Sequence, residues 1–123
     1  MSHTIRHDAL ALKAGVDVDD FERFMNSELM PHFAERFKGP TRSSKADLKA
    51  QSLLRDATSA RKFVFVTVWD GAASSVTGAA FENARMTTVA RTGELLKKLD
   101  SLARRSAEKV FTKRAHSEVA TNV

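Results

Sequence analysis

The stretch that decides the fold is RKFVFVTVWDG, Arg61 to Gly71. It is the most apolar and most aromatic run in the chain, and it carries the single tryptophan. Short, β-branched and aromatic, KFVFVTVW predicts a strand over Lys62–Trp69. Side chains alternate along a strand. Phe63, Phe65, Thr67 and Trp69 therefore share one face, and Val64, Val66 and Val68 share the other. Both faces are apolar, which predicts a central strand covered on both sides.

The elements on either side fit around that strand. ATSAR separates it from KADLKAQSLLRDA, and so short a connection predicts a hairpin with Ala46–Arg55 as the partner strand. Leu48, Ser52 and Arg55 in that segment also recur at helical spacing, so its strand character rests on the hairpin. IRHDALALK, Ile5 to Lys13, predicts a first strand with Asp8, Leu10 and Leu12 on one face. His7, Ala9 and Ala11 lie on the other. A turn at Gly15 follows. DVDDFERFMNSELMPHFAERFKGP then predicts a long helix. Asp17 is its N-cap, Asp20 occupies the acidic N3 place, and Val18, Phe21, Met25, Leu29 and Phe33 form its apolar stripe. Pro31 has no N–H to give, so the helix ends, kinks or restarts there.

Beyond the central strand, Asp70 is expected to cap a helical stretch beginning GAASSVTGAAFENARM, weakened at Gly78. TGELLKKLDSLARRS predicts a second helix with Thr92 as N-cap, a leucine stripe and Arg104–Arg105 at its negative end. EKVFTKRA, Glu108 to Ala115, predicts the last strand. The order is β-α-β-β-α-α-β in one domain over residues 1–115, with a C-terminal tail over 116–123. That order predicts an α+β, ferredoxin-like subunit: a four-stranded antiparallel sheet with helices on one face. The chain has helices for only one side of the sheet. The other apolar face calls for a second copy about a two-fold axis, a homodimer.

Composition narrows the function classes. The chain has 123 residues and no cysteine, which removes disulfides, thiolate metal sites and cysteine nucleophiles. The net charge is +5, with ten Lys/Arg against nine Asp/Glu up to Arg61 and ten against six from Lys62 onward. No block of like charges emerges. No apolar run approaches the roughly 20 residues that cross a bilayer, and the start MSHTIRHDAL has no apolar signal core. Cytoplasm is the default expectation. The histidines form no H-E-x-x-H, and no metal site is expected. There is no G-x-S-x-G and no glycine-rich phosphate loop.

The first strand closing at Gly15, the helix DVDDFERFMNSELMP with its late proline, and FVFVTVWDG ending in Trp-Asp together resemble the dimeric α+β-barrel superfamily. That superfamily includes the antibiotic-biosynthesis-type monooxygenases. The resemblance implies a small-molecule-binding dimer, with cofactor-independent oxygenation or isomerisation of a flat aromatic substrate as its chemistry. It also implies that Trp69 contacts the ligand. Haem-degrading relatives use a first-strand asparagine, whose place Asp8 takes, and a histidine on the helix after the tryptophan. No histidine lies between Asp70 and Ala115, so no haem or other cofactor is expected. The candidate site then comprises Trp69, Phe65, Phe63 and Met25 as ligand-binding walls, His32 or His7 as the polar or basic group, and Asp8 as its orienter. Two other classes stay open. In a structural or regulatory dimer, Trp69 and the phenylalanines would simply fill the core. In a single-stranded RNA module, RKFVFVTV would play the part of the aromatic strand motif through Phe63 and Phe65. Against nucleic acid, both glycine positions of that motif are wrong and HDALALK supplies no second aromatic.

Overall fold

The computed structural model describes residues 3–37, 47–70 and 90–115. Strand β1 (His3–Leu12) leads through a turn to α1 (Val18–Phe24), a π-helical turn (Met25–Leu29) and α2 (Met30–Arg36). Strands β2 (Asp47–Arg55) and β3 (Lys62–Asp70) form the hairpin, and α3 (Ala90–Leu102) runs directly into β4 (Ala103–Thr112). The sheet is antiparallel throughout, in the order β2-β3-β1-β4. The two strands with apolar residues on both faces, β1 and β3, are the central pair. The chain therefore has a ferredoxin-like α+β fold.

Local chemistry explains the first helical segment. Gly15 takes φ 83°, as a tight turn there requires. The Asp17 carboxylate accepts the Asp20 N–H at 3.1 Å, closing the first turn of α1. Arg61, at the far end of the hairpin, donates to the carbonyls of Val16 and Lys13 at 2.9 and 2.7 Å and holds that turn against the sheet. Pro31 neither ends the helix nor breaks it. The helix widens ahead of the proline, with the Met30 N–H reaching back five residues to the Met25 carbonyl. This π turn absorbs the missing donor and the ring bulk that an α-helix cannot.

The core lies on one face of the sheet. Leu10, Leu12, Phe63, Phe65 and Trp69 point from the strands into Phe21, Phe24, Met25, Leu29, Phe33 and Phe37 of the first helical segment and Leu95, Leu96 and Leu99 of α3. Rings run in contact from Trp69 to Phe37 (5.8 Å between centroids), Phe37 to Phe33 (5.3 Å) and Phe33 to Phe65 (6.1 Å). Glu28 of the π turn meets Lys98 and Arg91 of α3 at 3.1 and 3.4 Å, exposed pairs that add little stability themselves. No described helix is long and apolar enough to cross a membrane.

Three boundaries differ from the sequence-based expectation. Helix α3 starts at Ala90, so Thr92 lies inside it, fully buried, and is not its cap. Strand β4 begins at Ala103 and not at Glu108, so Arg104 and Arg105 belong to the strand. Pairing with β1 is the cause: Ala103 sits opposite Leu12, and a bulge between Ala9 and Leu10 lets the ladder continue. Arg105 still reaches back to α3, placing its guanidinium 2.9 and 3.1 Å from the Asp100 carboxylate. Asp70 is the last residue of β3, opposite His3 and Asp47, and the helix it was expected to cap lies outside the described residues. The tail from His116 also lies outside them.

Phe33 touches Phe37 and Phe65 and is fully buried. Phe33→Ala should cost ~3–5 kcal/mol in urea unfolding. A loss below about 1 kcal/mol would contradict its place at the centre of the ring chain.

Candidate functional site between the sheet and the helices

The inner, helix-covered face of the sheet is not uniformly apolar. Thr4, Arg6 and Asp8 precede Leu10 and Leu12 on the same face of β1, and Thr67 precedes Trp69 on β3. All five polar and aromatic side chains are buried: Thr4 1% exposed, Arg6 1%, Asp8 6%, Thr67 2% and Trp69 1%. The register sets Thr4 opposite Trp69, Arg6 opposite Thr67, and Asp8 opposite Phe65. On the next strand Gln51 stands opposite Thr67, so Gln51, Thr67 and Arg6 form a row across three strands. Gln51 donates to the Met30 carbonyl at 2.8 Å, just ahead of Pro31.

Two side-chain interactions organise this band. Arg6 grips Asp8 from the side, Nε to Oδ2 at 3.0 Å and Nη2 to Oδ1 at 2.9 Å. The Trp69 indole N–H donates to Thr67 Oγ1 at 2.8 Å. The indole donor is thus engaged within its own strand, and its ring is what it presents to a neighbour.

His32, on α2 just after Pro31, is half-buried, and its Nε2 lies 2.7 Å from Thr92 Oγ1 of α3. That contact joins the two helical segments that cover the sheet. Burial lowers the imidazole pKa below its ordinary value, helped by the charges of Arg91 and then Arg36. The ring is therefore neutral at pH 7 and able to accept a proton.

The candidates read from the sequence divide between the two faces. Trp69, Phe65 and Phe63 stand on the inner face and Met25 packs over it, all buried. Asp8 shares that face. His32 lies in the helical layer above it. His7 does not join them: it is on the outer face of β1, its ring 4.9 Å from Phe111 of β4 and tilted against it. Period-two alternation separates His7 from Asp8 and from every other candidate. Phe63 and Phe65 are 2% and 1% exposed beneath the helices, so neither offers the open face that stacks on a base. Arg6, Thr67 and Thr92 are the residues that sequence reading missed. Arg6 was recoverable, because it is two positions from Asp8 on the leucine face. Among the described residues, no three His, Asp or Glu side chains gather as a metal site would require.

No family model matches the chain, and no curated protein matches it by sequence. Solved structures do match in shape. SnoaB, a cofactor-independent oxygenase from Streptomyces nogalater, superposes with a TM-score of 0.63 at 16% identity, over 94% of this chain and 97% of that one. A protein from Bordetella bronchiseptica assigned to the antibiotic biosynthesis monooxygenases gives 0.59 at 14% identity, over 95% and 100%. PA3566 from Pseudomonas aeruginosa gives 0.54 at 13% identity, over 95% and 97%. The chain shares the ferredoxin-like α+β fold of these structures. At these identities the likeness is one of fold.

His32 provides a pH test. Its neutral form is favoured by folding, so the unfolded chain binds the proton more readily. Stability should fall as pH drops below about 6.5, the unfolded value, towards the lower folded value. The urea midpoint of the wild type should decrease between pH 7.5 and pH 5 more steeply than that of His32→Gln. Equal slopes in the two proteins would contradict the assignment.

Proposed function

We propose that two copies of this chain form a dimeric α+β barrel. Each copy binds a flat aromatic small molecule between its sheet and its helices, and acts on it as a cofactor-independent oxygenase or isomerase. The observation that carries this reading is the polar band buried among aromatic walls on the inner sheet face, with Trp69 at its edge. A face meant only as core would be filled by apolar side chains throughout, as its Leu10–Leu12 end is. The shape likeness to a cofactor-independent oxygenase supports the reaction class.

Roles follow from placement. Trp69, Phe65, Phe63 and Met25 form the wall and keep water out. His32, neutral and half-exposed, is the base that removes a proton from the substrate. Asp8 acts through Arg6 as an orienter. His7 lies on the wrong face to serve the same site. In the oxygenase case the deprotonated substrate gives electrons to dioxygen, and a ring CH2 becomes C=O. One oxygen atom stays in the product, and the other leaves as water with the two hydrogens.

The dimer rests on the outer sheet face. Ile5, Ala9, Val64, Val66 and Val68 line it, half-exposed, and Leu54 and Phe111 are 54% and 46% exposed. A second copy of the same face gives these side chains cover.

The test uses 1,8-dihydroxyanthrone as probe. Saturable quenching of tryptophan fluorescence is expected, because Trp69 is the single reporter. Oxygen uptake above the uncatalysed rate should accompany it, and His32→Gln should lower that uptake by about 10²-fold or more. Quenching without oxygen uptake would favour a non-catalytic binding dimer. No quenching by this or any polycyclic aromatic would refute the reading.

A further inference from the structure

The outer face of the sheet carries a cavity that the inner-face site does not use. Ala9 of β1 and Val64 of β3 stand opposite each other in the ladder, and with His7 and Lys109 they line a hollow of about 280 Å³. A second hollow of about 200 Å³ adjoins it at the same Ala9 and Val64 and runs past Ala11 to Lys62 and Asp56. The small side chains of β1 open this surface; a valine or leucine at position 9 would fill its centre. A cavity of about 150 Å³ holds benzene. The first hollow therefore has room for one ring, and the two together for a fused pair.

The lining divides by chemistry. Ala9 and Val64 give an apolar floor. His7 and Lys109 stand opposite each other on β1 and β4 at one end, and none of these four residues is acidic. Phe111, tilted against the imidazole at 4.9 Å between ring centroids, holds that ring in place. Among the described residues, neither the His7 nor the Lys109 side chain has a hydrogen-bond or ion-pair partner. Other basic side chains are engaged: Arg61 with two carbonyls, Lys98 with Glu28, and Arg105 with Asp100. At the far end of the adjoining hollow, the Asp56 carboxylate accepts from the N–H and hydroxyl of Thr58, each at 2.7 Å. An ammonium offers three donors and an imidazole at least one in either tautomer. Donors of this kind bond a carboxylate about twice as strongly as they bond a neutral acceptor.

We infer that the hollow over Ala9 and Val64 is a second ligand site, which takes a small carboxylate with a flat apolar body of one or two rings. Lys109 and His7 bond the carboxylate, and the body lies on Ala9 and Val64. The site is on the opposite side of the sheet from Trp69 and goes beyond the chemistry proposed for the inner face. It is present in the single chain. In the proposed dimer the second copy lies over it, so the bound acid is enclosed between the two sheets.

Calorimetric titration of the full chain with 2-naphthoate and its neutral isostere 2-naphthamide tests this, with methyl NMR to locate the probe. The anion should bind about ten-fold more tightly than the amide, the size of one charge-assisted hydrogen bond. It should shift the methyl resonances of Ala9 and Val64. Lys109→Met, a substitution at an exposed position, should remove most of the preference, and His7→Leu should reduce it several-fold. Neither should alter the amide's affinity by more than about two-fold, because the apolar floor is intact. Equal binding of the two probes, or a preference unchanged in the Lys109→Met, His7→Leu double variant, overturns the inference. Shifts confined to the Trp69 indole overturn it too, and leave the inner-face site standing. Binding of neither probe overturns it whatever the outcome at the inner face.

Discussion

The structure depends on one constraint: strand β3 is apolar on both faces and sits beside β1 in the middle of the sheet. Its phenylalanines and tryptophan need cover on one side, and its valines need cover on the other. The first helical segment and α3 cover the aromatic side so fully that Phe65 and Trp69 are each 1% exposed. The valine side stays half-exposed in a single copy. Burial of apolar area is the largest favourable term in folding and association alike, and this half-exposed face is the ground on which a second copy is proposed.

The same two-sidedness sorts the chemistry. Alternation along β1 sends Arg6 and Asp8 under the helices and His7 to the outer face beside Phe111. A slip of one residue in register would exchange these sets. Under the helices, water is excluded and fixed charges act through a low dielectric, where a guanidinium or a carboxylate has far more effect than at the surface. The π turn serves the same region. It lets the helix carry Pro31 without breaking, and so brings His32 to within hydrogen-bond distance of Thr92 on α3.

Much of the fold was legible in the sequence because local and tertiary preferences agree there. KFVFVTVW could be little other than a central strand, and Asp17, Gly15 and the Phe21–Met25–Leu29–Phe33 stripe announced the first helix and its turn. The start of β4 was not legible. Arg104 and Arg105 follow a leucine-striped helix and carry the charge of a helix end, whereas pairing with β1, across a bulge, makes them strand. Thr92 was misread for a related reason. It is a good cap by type, yet its place is set by His32, sixty positions away. Within the candidate site, Trp69 was conspicuous as a single residue. Arg6 was not, because a charged residue near the start of a strand usually faces water. Only the two-residue spacing to Asp8, on a face shared with two leucines, indicated otherwise.

In the proposed dimer the sheet is covered on both faces, by its own helices on one and by a second copy of itself on the other. Sedimentation velocity of the full chain over a wide concentration range tests it most directly. A single species at twice the 13.6 kDa chain mass, persisting into the low micromolar range, is the predicted result. A species of chain mass that stays soluble and monomeric at high concentration would contradict it.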